Sequence, residues 1–128
     1  MRLLLDTYIF VVAALEGFEA LSAKTRKLLN DEETQPLLST VSLTEVAIKT
    51  RIGKLAITGD QAQSAVNEMR LTLLPYTVKH ALRMFDLPLL HGDPFDRMLI
   101  ATALAEGLPI LSPDRTFSEY PGLQLIKA

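Results

Sequence analysis

The sequence predicts an α/β domain built on a mostly parallel sheet, and three observations carry that expectation. Short apolar runs recur along the chain at Leu3-Leu4-Leu5, Leu37-Leu38-Ser39-Thr40, Leu73-Leu74-Pro75, Ile110-Leu111-Ser112 and Leu123-Gln124-Leu125-Ile126, as suits strands buried on both faces. Longer stretches with helix starts and stops separate them, the alternation expected of a parallel sheet. The 128 residues hold no internal repeat, low-complexity tract or linker, so a single domain spans 1–128.

Taken in order, Leu3 to Leu5 form the first strand, and Tyr8 to Leu15 continue as an apolar helix ending near Glu16-Gly17. Ser22 suits the N-cap of a second helix running to Asn30. Pro36 precedes the second strand. Ser42 is expected to open the next helix with Glu45 three residues on, as in a capping box, and that helix stops near Gly53. Gly59-Asp60 reads as a turn before a helix from Gln61 to Leu71. A short strand at Leu73 and a helix from Val78 to Phe85, closed by Pro88, follow. Asp93-Pro94-Phe95-Asp96 has the form of a helix start: Asp at the N-cap, Pro at the first helical position and a second Asp in the first turn. That helix runs to Glu106 and ends at Gly107, a left-handed C-cap. Asp114 to Tyr120 is a short helix or turn before the last strand. His80 falls on a helix surface and His91 in a loop.

Composition narrows the function. A net charge of −2 argues against a broad basic surface that holds nucleic acid by charge alone, and leaves room for a local basic rim. No cysteine is present, which excludes disulfides and thiolate metal sites, and two histidines are too few for an imidazole-rich zinc site. The apolar run at the N-terminus is broken by Asp6, and Ile9 to Leu15 falls far short of the ~20 residues that span a bilayer. A cytoplasmic protein without a membrane segment is expected. A mean hydropathy of +0.22 is apolar for so small a chain, so part of its surface is expected to cover a partner. The helix from Tyr8 to Leu15 has no polar face and is the expected pairing surface, unless the Ser22–Asn30 helix lies across it.

Acidic residues fall where such a sheet forms its sites, outside the carboxyl ends of the strands. Asp6 directly follows the first strand, Asp114 lies two residues past Ser112, and Glu45 stands one turn into the helix after the second strand. Asp96, in the first turn of its helix, reaches the same edge only through tertiary folding. Each has a plainer reading: Asp6 a turn residue, Glu45 half a capping box or a partner of Lys49, Asp96 a dipole-favoured acid, Asp114 a cap. Asp93 reads as an N-cap before a ligand. Together, four carboxylates in one cleft would raise one another's pKa values unless a hard divalent cation such as magnesium relieves them. Such an ion beside a phosphate points to metal-assisted phosphodiester hydrolysis.

Four blocks carry a resemblance to a known family: Leu3-Leu4-Leu5-Asp6-Thr7; Ser42-Leu43-Thr44-Glu45-Val46-Ala47-Ile48-Lys49 with Gly53-Lys54-Leu55; His91-Gly92-Asp93-Pro94-Phe95-Asp96-Arg97 through Ala103; and Leu111-Ser112-Pro113-Asp114-Arg115-Thr116-Phe117. They resemble, in the same order and over essentially the whole chain, the PIN-domain toxins of VapC type. The resemblance implies a three-layer α/β/α sandwich, a magnesium- or manganese-dependent endoribonuclease acting on RNA, a homodimer and a cognate antitoxin protein. It puts the metal-binding, catalytic acids on Asp6, Glu45, Asp96 and Asp114, and supporting hydroxyls on Thr7 and Ser112. Asp96 rather than Asp93 has the family's spacing to Ala101-Thr102-Ala103. Pro113 departs from the small residue usual there and removes a backbone donor beside Asp114. Tyr8, after Asp6-Thr7, is expected to pack rather than to stack on a base. Among nearby basic residues, Lys49, Arg97 and Arg115 are the candidates for phosphate contact.

Two other classes fit less well. An aspartyl-phosphate phosphatase needs an Asp two residues after the first, where Tyr8 stands, and a receiver domain needs an acidic pair that is missing here. A non-catalytic binding module with a decayed site would be expected to have lost at least one acid.

Overall fold

The computed structural model describes residues 1–128. Five strands, β1 (Arg2–Leu5), β2 (Gln35–Ser39), β3 (Thr72–Leu74), β4 (Ile110–Ser112) and β5 (Leu125–Lys127), form one sheet in the order β3-β2-β1-β4-β5. Every pairing is parallel, with Leu4 opposite both Leu37 and Ile110. The first strand is therefore central, and its carboxyl end is flanked by the ends of β2 and β4.

Six α-helices cover the two faces: α1 (Thr7–Glu16), α2 (Ala23–Asn30), α3 (Thr40–Arg51), α4 (Gly59–Glu68), α5 (Val78–Arg83) and α6 (Pro94–Glu106). Alternation along β1 assigns the faces. Leu3 and Leu5 enter a core with Ile9 and Phe10 of α1, Val46 of α3, and Ala62, Ala65 and Val66 of α4. Leu4 enters the opposite core with Leu99, Ile100 and Ala103 of α6, closed by Phe117 and Tyr120. The result is the expected α/β/α sandwich.

The strongest local signals form as read. Asp93 accepts from the amides of Phe95 and Asp96, Pro94 takes the first helical position, and Gly107 closes α6 at φ 66°. Other boundaries move for identifiable reasons. Ser39, not Ser42, caps α3 by accepting from the Val41 amide, so the helix starts directly off β2 and carries Ser42 into the interior. Thr58 and Gln61 form a capping box that turns Gly59-Asp60 into the first turn of α4, not a separate turn. That helix stops at Glu68, before the expected Leu71, and β5 begins two residues later than expected.

His80 is a clear correction. It lies in the interior, not on a helix surface: its Nδ1 accepts from the Thr77 amide at 3.1 Å, and its Nε2 meets Glu106 Oε1 of α6 at 2.8 Å. Ring closure against α6 outcompeted exposure because both ring nitrogens find partners there.

The apolar surface also differs from expectation. α1 buries Ile9 and Phe10 and leaves Val11 to Ala14 partly covered, whereas the most exposed apolar side chains are Val78 and Phe85 around α5 and Leu89 beyond it. No helix is long and apolar enough to cross a membrane.

Candidate active site

The carboxyl edge of the sheet opens into a cleft of about 560 Å3 lined by Asp6, Glu45, Asp93, Asp96 and Asp114, with Thr7, Tyr8 and Lys49. All four acids expected to form the site, and Asp93 with them, therefore meet at one place. Their sources are distinct. β1 delivers Asp6, α3 delivers Glu45, the N-terminus of α6 delivers Asp93 and Asp96, and the turn after β4 delivers Asp114.

Asp6 occupies the N-cap position of α1, yet its carboxylate makes no capping bond. Ser112 donates to its Oδ2 at 2.6 Å, joining the ends of β1 and β4. The same Ser112 oxygen accepts the Asp114 amide at 3.0 Å. Ser112 thus acts as a bracket between two acids, its hydrogen going one way and its lone pair the other. Burial pushes the Asp6 carboxyl above its ordinary value; the Ser112 bond opposes this, and the nearby charges of Glu45 and Asp114 add to it.

Thr7 touches no acid. Its hydroxyl is 2.8 Å from that of the buried Ser42, which ties the start of α1 to the first turn of α3. Support from Thr7 therefore reaches Glu45 through the placement of two helices, not by a direct bond. Glu45 makes no capping box. It is 5% exposed, one oxygen accepts from Lys49 one turn along, and the other, Oε1, is buried without a partner.

Asp96 carries the largest perturbation. Burial foremost, then the charges of Asp93, Asp6, Glu45 and Asp114, push its pKa up to about 7. Asp114 goes the other way: the amide of Thr116, against some burial, and the Thr116 hydroxyl hold its carboxyl below the ordinary value. The missing donor at Pro113 does not loosen this turn, because Ser112 receives the Asp114 amide and Lys127 of β5 donates to the Pro113 carbonyl.

The basic candidates separate. Lys49 lines the cleft, and its pKa is raised by its hydrogen bond to Glu45, with the charges of Asp93 and Asp96 adding to this. Arg97 departs from the phosphate-binding expectation: its guanidinium donates to the carbonyls of Leu87 and Pro88 and to the Tyr120 hydroxyl, holding the segment before α6. Helical geometry turns it away, since adjacent helix residues face different sides. Arg115 is exposed on the turn after Asp114 and does not line the cleft. Tyr8 corrects another expectation: its ring is 59% exposed at the cleft mouth rather than packed.

Two groups escaped the sequence reading. His91, assigned only to a loop, lies with Nε2 3.6 Å from Asp96 Oδ2, and Nδ1 is 2.6 Å from the hydroxyl of the buried Tyr120. Its place two residues before Asp93, the cap of α6, was the available signal.

The donor set suits a hard cation. Five carboxylates face one lysine, one of their oxygens is buried and unpaired, and one acid is pushed up to about 7. No three side chains converge tightly enough to enclose an ion with protein ligands alone. An ion that keeps several of its waters, as magnesium does, matches that openness.

A cavity of about 600 Å3 at the opposite edge of the sheet is lined by Asp31, Glu32, Glu68 and Arg70 among others. It contains none of the buried, unpartnered polar atoms that mark the acidic cleft.

Comparison with known proteins agrees with this architecture. No curated protein matches the chain by sequence. Among solved structures, VapBC2 from Rickettsia felis bound to a DNA fragment from its promoter superposes with a TM-score of 0.77 at 20% identity, over 99% of this chain and 98% of the other. DNA-bound VapBC from Salmonella typhimurium gives 0.74 at 17% identity, and VapBC-5 from Mycobacterium tuberculosis 0.65 at 17%, each with the same coverage. The PIN-domain family model matches residues 3–123, a span that takes in the first four strands nearly entire and all four acids and stops just before the last strand, and the chain belongs to the PIN-domain family.

Proposed function

We propose that the protein is a divalent-metal-dependent endoribonuclease, the toxin of a VapC-type toxin–antitoxin pair. One observation supports this most: a cleft whose carboxylates are mutually repelling, with Glu45 Oε1 unpaired and Asp96 raised to about 7. Such crowding costs stability in the free protein and is relieved by a cation. Sites of this kind are kept for chemistry.

Asp6 and Asp96 would hold Mg2+ or Mn2+, with Glu45 and Asp114 completing the acidic shell directly or through water. Bound there, the ion supplies an acidified water and charge neutralisation at a phosphodiester. The chain's own residues do the rest. Ser112 fixes the Asp6 carboxylate and the Asp114 backbone together. Asp93 caps α6 and so holds Asp96 in its first turn, with the helix N-terminus facing the anionic substrate. Lys49 balances Glu45 and offers a positive charge to an incoming phosphate. Tyr8 presents an open ring at the mouth of the cleft, where an unpaired base could stack on it.

Partners follow from the same reading. The structural neighbours are toxin–antitoxin assemblies, and a cognate antitoxin is proposed for this chain in the cytoplasm, where RNA is available. A homodimer is proposed too, and light scattering should give twice the 14.2 kDa chain mass.

The test is direct. Purified protein incubated with end-labelled RNA should cleave internally with Mg2+ or Mn2+ and stop when EDTA is added. RNA left intact under both metals, by protein shown to be folded, would overturn the nuclease reading.

A further inference from the structure

We propose that His91 is a positioning residue for Asp96, held in one tautomer by a relay that runs Arg97 to Tyr120 to His91. The inference rests on the reading of Asp96 as a metal-site acid, and the relay itself is argued from geometry alone.

Arg97 is a donor without acceptor capacity, so the Tyr120 hydroxyl, 3.3 Å from its Nη1, receives from it. That hydroxyl has one hydrogen left to give. His91 Nδ1 lies 2.6 Å away and is the acceptor for it. A neutral imidazole that accepts at Nδ1 carries its hydrogen at Nε2.

Nε2 is buried without a partner and stands 3.6 Å from Asp96 Oδ2, just outside hydrogen-bond range. The opposite tautomer would aim a lone pair at a carboxylate and leave the Tyr120 hydrogen without an acceptor. Both faults vanish when Nε2 bears the hydrogen.

The relay is rigidly mounted. Tyr120 is 1% exposed, and Arg97 also grips the Leu87 and Pro88 carbonyls, so the segment carrying His91 is tied to the helix that carries Asp96. The imidazole N–H therefore limits the orientations open to the Asp96 carboxylate and favours its charged form. Metal sites commonly use this arrangement in reverse, with a carboxylate orienting a ligating histidine. Here the histidine orients the carboxylate.

The experiment has two arms. Nitrogen-resolved NMR of the metal-free protein at about pH 8, where an ordinary imidazole is neutral, should show the hydrogen of His91 on Nε2. Tyr120→Phe should release the ring to a tautomer mixture. A hydrogen on Nδ1 in the wild type, or no change in Tyr120→Phe, would overturn the relay.

In the second arm, Mn2+ affinity is measured by titration alongside cleavage kinetics. His91→Ala should weaken metal binding or lower kcat by roughly 10- to 100-fold with KM for RNA little changed. His91→Gln, whose amide nitrogen reaches the Nε2 position, should recover most of that loss, and His91→Asn should not. In an Asp96→Asn background the His91→Ala effect should disappear. Equal losses in the Gln and Asn variants, or a full His91→Ala effect in that background, would overturn the role. A wild-type protein that cleaves no RNA would defeat the nuclease proposal and leave the NMR and Mn2+ arms standing.

Discussion

Two groups of polar and charged side chains meet on α6, and they are built on opposite rules. Near its C-terminal end, Glu106 meets the fully buried His80, and Lys79 stands 3.7 Å away. Both His80 ring nitrogens have partners there, and Lys79 and Glu106 are opposite in sign. At its N-terminal end, Asp93 and Asp96 join Asp6, Glu45 and Asp114 against Lys49 alone, with an unpaired oxygen left over. A fold gains from the first arrangement and is burdened by the second. The cleft is the part of the molecule that stability alone would not produce.

The sharpest way to break this comparison is to remove one acid from each end. Asp96→Asn is expected to lower metal-dependent RNA cleavage by about 10^2- to 10^3-fold, as loss of a group that stabilises transition-state charge does, while the metal-free melting temperature holds or rises. Glu106→Gln is expected to leave cleavage unchanged and to lower the melting temperature. Cleavage assays beside calorimetry check both, and a reversed pattern would exchange the roles of the two ends.

Metal addition should sharpen it next. Mg2+ or Mn2+ at about 100 times its Kd should stabilise the wild type by ~2.7 kcal/mol through binding to the native state. The Asp6→Asn/Asp96→Asn double variant should respond far less. Thermal unfolding with and without metal measures the difference, and equal responses would remove the cation from the cleft.

Acidity should move the two ends in opposite directions. The Asp96 pKa is raised, so the metal-free native state holds a proton that the unfolded chain releases near the ordinary Asp value. Its contribution is present at low pH and is lost as pH rises toward about 7. The Glu106 pKa is lowered by its His80 bond first, with some opposing burial, so its contribution is present above the ordinary Glu value and is lost on acidification. Urea unfolding over a pH series should show Asp96→Asn removing the first slope, worth at most about 1.4 kcal/mol per pH unit, and Glu106→Gln removing the second.

The smallest effect is expected for Asp93→Asn. Asn accepts the Phe95 and Asp96 amides as Asp does, so stability should change by a few tenths of a kcal/mol. Most cleavage should survive, since one like charge beside Asp96 is removed without loss of the cap. Complete loss of activity would make Asp93 a metal ligand.

What could be read in advance follows the range of the interactions. Asp93, Pro94 and Gly107 define α6 by bonds within three or four residues, so its limits were legible. Each apolar run lies wholly or partly within a strand, and those of β1, β2 and β4 are buried on both faces. The cleft was legible from the positions of Asp6, Glu45 and Asp114 relative to those strands. Contacts between distant segments were not. Ser42 looked like a cap because serine often is one, but Ser39 at the strand end took that role and left Ser42 facing Thr7. His80 was misjudged, and the contacts of His91, rightly placed in a loop, went unread, as a histidine's role is set by what meets its ring nitrogens. Arg97 adjoined an acid in sequence and pointed elsewhere, since neighbours on a helix diverge.

The strand order has one more consequence, in time rather than in space. Asp6 is synthesised before its Ser112 partner, which comes 106 residues later in the chain. When synthesis has reached β3, the strand that pairs with the other edge of β1 and the acids of α6 are not yet made. Loop closure across that span is a late event in folding as well. A chain cut short before Asp114 lacks one of the acids that line the cleft, so its cleft is never complete. The acidic cleft is therefore assembled only once Asp114 has been made, more than a hundred residues after Asp6.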